Sequence, residues 1–73
     1  MMHLADKYDV TMYSTSGHRK AEVFFTSVGN IGVQRWENSH LGKGWVWRSD
    51  DLYDSSCGLD CVRDLAEDWI LDS

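Results

Sequence analysis

The 73-residue chain contains no proline and only two cysteines. No stretch approaches the roughly 20 consecutive apolar residues of a membrane-spanning helix. Two cysteines are too few for a disulfide scaffold, so folding has to come from an apolar core. The opening residues MMHLADKYDV hold no apolar h-region, which argues against a secretory signal. A reducing, cytoplasmic location is the expectation. Positive charge is scarce where negative charge is dense. Residues 50–73 carry eight carboxylates and a single base, Arg63, whereas residues 1–49 carry four acids and six bases. The net charge of −5 therefore arises wholly in the last third. Such asymmetry speaks to partners rather than to fold. It disfavours direct nucleic-acid binding, which depends on lysine and arginine at phosphates.

What is present is aromatic mass. Four tryptophans and two phenylalanines can build a core from few residues, since each buries roughly 150–250 Å². This matters in a chain so short, which removes only about 60% of its unfolded surface from water. One domain spanning residues 1–73 is expected, with residues 1–6 as a loose N-terminus.

The first two-thirds reads as strands. YDVTMYST places Tyr8, Val10 and Met12 on one side, and HRKAEVFFTSV does the same with Ala21, Val23 and Phe25. Ser16-Gly17 and Gly29-Asn30 read as two-residue hairpin turns. Val10 then faces Val23, and Val23 faces Trp36. A loop with the sequence HLGKG closes a third hairpin between IGVQRWENS and WVWRS, with Trp36 opposite Trp45 and Trp47 on the same side. One face would hold Tyr8, Val10, Met12, Ala21, Val23, Phe25, Trp36, Trp45 and Trp47. The other would hold Thr11, Tyr13, Glu22, Phe24, Thr26, Ile31, Val33, Arg35, Val46 and Arg48. Within it, Phe24, Ile31, Val33 and Val46 form a candidate oligomer face, or simply scattered apolar residues on a half-wet sheet.

The tail reads as a helix over Leu59–Leu71, with Ser55 or Ser56 as N-cap. Leu59, Cys61, Val62, Leu65, Ala66, Trp69 and Ile70 share one face, and Asp60, Asp64, Glu67 and Asp68 the opposite one. The expected fold class is α+β: a four-stranded antiparallel β-meander with one C-terminal amphipathic helix packed on one face, across the tryptophans.

The acidic face is unfavourable for the helix. Asp60, Asp64 and Asp68 are spaced i, i+4, i+8, where like charges repel by roughly 0.2–0.5 kcal/mol per pair. Only Asp60 sits where the helix dipole favours an anion. The plain reading is a solvated face that keeps the protein soluble. The functional reading is a row of charges for a basic partner, about 6 Å apart along the axis. Asp60, Asp64, Glu67 and Asp68 would carry it, Asp50, Asp51 and Asp54 would extend it, and Tyr53 would supply an aromatic anchor.

A very short acidic chain with a small sheet and the helix DCVRDLAEDW resembles the anti-CRISPR and anti-restriction proteins of phages and mobile elements. The resemblance lies in length, acidity and carboxylate spacing, and carries no residue roles. It implies a viral inhibitor in the host cytoplasm that mimics DNA. Its partner would be a basic nucleic-acid-binding protein or complex, such as a CRISPR effector subunit. An oligomerising module, monomer or homodimer, is the alternative.

Other constellations are weaker. Cys57 and Cys61 read as packing residues, a disulfide, or two zinc ligands short of the usual four. DDLYDSSCGLD lacks the alternating acids of a calcium loop. LGKGW lacks the hydroxyl residue after lysine that a phosphate loop needs. GHRK reads as an ordinary basic turn. No metal or cofactor is expected. The scattered histidines and the small core leave little room for catalysis, so enzymatic activity is not expected.

Overall fold

A computed structural model describes residues 5–39, 44–53 and 56–72. Strands β1 (Ala5–Tyr13), β2 (Arg19–Thr26), β3 (Ile31–Asn38) and β4 (Trp45–Tyr53) form one antiparallel sheet in the order β1-β2-β3-β4. Helix α1 (Gly58–Leu71) packs over β1, β2 and β3. This is the α+β meander-and-helix architecture that the hydrophobic pattern implies. Ala5 and Asp6, expected in the loose terminus, belong to β1.

The first hairpin keeps its expected register, with Val10 opposite Val23. Its loop spans residues 15–18. Ser14 closes it by accepting from the backbone N–H groups of His18 and Arg19 at 3.1 and 3.0 Å. The second hairpin does not keep its register. Thr26 N–H donates to the Asn30 carbonyl at 2.9 Å, and Gly29 N–H to the Thr26 carbonyl at 3.1 Å. Gly29 takes φ 90°, which suits glycine. The loop is therefore three residues, 27–29, with glycine in the left-handed position, and not the two-residue Gly29-Asn30 turn. Val23 now faces Val33 instead of Trp36.

A shift of three is odd, so every β3 side chain changes face. Ile31, Val33 and Arg35 turn toward the helix, and Trp36 turns away. Trp36 pairs with Trp47 rather than Trp45, an even shift that keeps the β4 tryptophans on Trp36's side. The expected core face is thus corrected. The core is Ala21, Val23 and Val33 against Val62, Ala66 and Ile70, flanked by Val10, Met12, Ile31, Tyr53, Cys57, Leu59 and Trp69. Trp36, Trp45 and Trp47 lie on the face away from the helix. A register irregularity between Tyr8 and Val10 also moves Tyr8 to that face, where it meets Phe24 edge-on at 6.5 Å.

The expected oligomer face does not exist as such. Val33 is buried in the core and Ile31 packs against it. Phe24 is on the outer face but fully buried, and only Val46 is exposed. Phe24 is covered because it lies across Gly32, its cross-strand neighbour. A Cβ at Gly32 would collide with the Phe24 ring and come within 2.8 Å of the Asp51 carbonyl. Backbone cannot yield there as a flexible side chain would. Gly32→Ala is therefore expected to destabilise by about 1–3 kcal/mol, the range for overpacking. Urea unfolding measures it, and a neutral result would contradict the described packing.

Candidate functional site: the acidic helix face

Helix α1 buries Val62, Ala66 and Ile70, a narrow i, i+4, i+8 stripe. Cys61 and Leu65, expected on the apolar face, are exposed. Two residues before each buried position stand Asp60, Asp64 and Asp68, turned about 200° away and so facing water. Asp60, Asp64, Glu67 and Asp68 are all exposed. Asp60 reaches only a 4.0 Å pairing with Arg63. Among the described residues Asp64, Glu67 and Asp68 make no ion pair. The last turn holds no base, and Asp72 caps it with a distant contact to Arg19 at 3.8 Å.

The helix begins without the serine cap expected from the sequence. Cys57 is the N-cap and makes no side-chain capping bond. Ser56 lies outside the helix, and Ser55 lies outside the described residues. A disulfide joins Cys57 to Cys61 across the first turn, with Cα atoms 5.5 Å apart. Gly58, at φ 75°, admits the chain to that turn. Of the three readings that the cysteines left open, the structure contains the bonded one. Among the described residues no three histidine, cysteine or carboxylate groups cluster as metal ligands.

Docking of the helix is directional because of one ion pair. Arg63 Nε and Nη2 donate to the two carboxylate oxygens of Asp9 at 2.6 and 2.9 Å. Asp9 is the residue at the β1 irregularity, which aims it at the helix. The Arg63 hydrogen bond holds the Asp9 carboxyl below its usual value, desolvation opposes this, and the charges of Arg63 and Lys7 add to the lowering. The same bond raises the Arg63 guanidinium. The sole base of the acidic tail is thus committed mainly to the sheet and reaches only Asp60 of the helix row. A second anchor lies at the other end: Arg19 bonds Glu37 at 3.1 Å, donates to the Trp69 carbonyl at 2.7 Å and stacks on the Trp69 ring.

The remaining predicted site residues are not gathered with the row. Asp50 and Asp51 point to opposite faces of β4. Asp50 stands opposite Gln34 on the outer face, while Asp51 stands opposite Val33 and pairs with Arg35. Tyr53 is no exposed anchor. It is half-buried beside the core, and burial, then the Asp51 charge, raises its phenol pKa. Asp54 lies outside the described residues. The sequence reading missed the Asp9–Arg63 pair, since nothing local links residues 54 apart; the lone base in an acidic tail was the signal.

Asp9 has a lowered folded pKa, so its contribution is present above the unfolded carboxylate range of about 4. It is lost as pH falls through the folded value. Asp9→Asn is expected to remove this part of the acid sensitivity: its stability gap from the parent should shrink between pH 7 and pH 3. Denaturant unfolding at both pH values measures the gap, and a constant gap would show the pair to be without energetic effect. No family model, no curated protein and no solved structure matches this chain.

Proposed function

We propose that the protein is a non-enzymatic binding protein that engages a basic surface of another protein through the acidic face of α1. The observation that carries this reading is the exposed row Asp60, Asp64, Glu67 and Asp68, unbalanced by any base in the last turn. Folding gains little from it beyond Asp60 in the first turn. The i, i+4 repulsions and the C-terminal dipole both oppose it. A solvated face needs only scattered charge of either sign. A continuous row of one sign, spaced about 6 Å apart, matches what an array of lysines and arginines would accept.

The partner class is a basic nucleic-acid-binding protein or complex, and the effect is inhibition by occlusion of its nucleic-acid site. That part rests on the resemblance to anti-CRISPR and anti-restriction inhibitors, for which a host cytoplasm is the place of action. In a reducing compartment Cys57 and Cys61 would be kept as thiols. The helix start would then depend on the Arg63–Asp9 bridge and the burial of Val62. The oligomerising alternative loses the surface first assigned to it, because Phe24, Ile31 and Val33 are covered.

Two variants separate function from stability. Asp60→Asn, Asp64→Asn and Asp68→Asn combined should abolish salt-sensitive capture of basic nucleic-acid-binding proteins from host lysate, with the fold retained. Asp64→Lys with Asp68→Lys should raise the melting temperature by a few degrees while also abolishing capture. Capture that is indifferent to salt and to these carboxylates would leave the row as a solubility device.

A further inference from the structure

The sheet face opposite the helix is built in cross-strand rows. Tyr13, Lys20, Trp36 and Trp47 stand opposite one another across the four strands. The adjoining row is Thr11, Glu22, Gln34 and Asp50. Trp36 and Trp47 meet edge to face at 4.9 Å and 75°, and Trp45 meets Tyr13 edge to face at 6.4 Å. Despite these contacts Tyr13, Trp45 and Trp47 stay 61%, 41% and 43% exposed. Large aromatics left in water beside carboxylates call for an occupant.

We propose that this face binds cationic side chains from a basic segment of a partner protein, each guanidinium or ammonium lying on Trp45 or Trp47 and paired with Asp50 or Glu22. Three observations point to a cation. The chain's own Lys20 already holds its ammonium 4.8 Å from the centre of the Trp36 ring, as a stand-in for a partner's charge. The row next to the aromatics supplies two carboxylates, and Asp50 makes no ion pair among the described residues. Arg19, Arg35, Arg48 and Arg63 pair with carboxylates on the helix side. Lys20 is thus the one lysine or arginine that the described residues place on the outer face. Stacked nucleic-acid bases would bring phosphates to a face with almost nothing to neutralise them.

A second copy of the chain fits less well. The exposed parts of Tyr13, Trp45 and Trp47 amount to on the order of 300 Å², from about 150–250 Å² per aromatic. A stable interface takes about 800 Å² per partner. The polar row interrupts the face before Tyr8 and Leu52 can add to it. A platform of this size suits one or two cationic side chains.

The face lies across the sheet from the acidic helix row and does not depend on it. The test therefore starts from the Asp60→Asn, Asp64→Asn, Asp68→Asn variant, so that the helix row does not contribute. Isothermal titration at low salt compares a short arginine-rich peptide with its citrulline counterpart, which keeps the shape and loses the charge. The expected result is saturable binding of the arginine peptide, at least about tenfold tighter than the citrulline one, since charged pairing joins the stacking. Trp47→Leu and Asp50→Asn should each weaken it about two- to fivefold. Lys20→Met should tighten it by removing the resident positive charge beside the site. Equal affinity for both peptides, or none for either, would overturn the proposal. So would a Lys20→Met variant that binds no better. Concentration-dependent dimerisation lost in Trp47→Leu would assign the face to a second copy, and tight binding of oligothymidine would assign it to nucleic acid.

Discussion

The turn at residues 27–29 decides what this protein shows to its surroundings. Gly29 in the left-handed region lets Thr26 and Asn30 close the hairpin around three residues. That choice places Val33 opposite Val23, and parity does the rest. An aliphatic inner face results, small enough for Val62, Ala66 and Ile70 to sit against it. The tryptophans, which would have given a bulkier core, are turned outward. One loop residue more or less would exchange a buried face for an exposed one.

The charges follow the same division. On the helix side, arginines and carboxylates from distant parts of the chain are joined: Arg63 with Asp9, Arg35 with Asp51, and Arg19 and Arg48 with Glu37. Partly exposed pairs of this kind add little to stability individually. The Arg63–Asp9 pair, with the Arg19 bond to the Trp69 carbonyl, ties the helix to the sheet, while the other pairs join strand to strand. They also take up the arginines, and among the described residues Asp64, Glu67 and Asp68 of the outer helix face make no ion pair, while Asp60 keeps only its 4.0 Å contact with Arg63. The two exposed surfaces therefore share a sign of chemistry. One is a row of carboxylates, the other an aromatic platform edged with carboxylates, and both suit cationic groups.

Element order, the sheet and the helix were legible because local patterns encode them. Alternation marks each strand, and the opposition of Val62, Ala66 and Ile70 to Asp60, Asp64 and Asp68 marks the helix. Which face became the core was not legible. It hangs on whether Thr26-Ser27-Val28-Gly29-Asn30 closes as a two- or three-residue loop, and both closures place glycine acceptably. The tryptophans were grouped correctly with one another and assigned to the wrong side for that one reason. The acidic row was legible from spacing alone. Asp50, Asp51 and Tyr53 were not, since adjacent strand residues alternate and cannot extend one charged surface. The Cys57–Cys61 bond was one of several readings that spacing allows.

The register of β2 against β3 is the claim on which the rest stands, and nuclear Overhauser contacts read it directly. The expected contacts are those between the Val23 and Val33 side chains, between both and the Val62 methyls, and between the Trp36 and Trp47 indoles with the Lys20 side chain above them. Contacts from Val62 or Ala66 to the Trp36 indole, with Val23 opposite Trp36, would contradict it. They would return the tryptophans to the core and leave both the aromatic platform and its proposed cationic occupant without a surface.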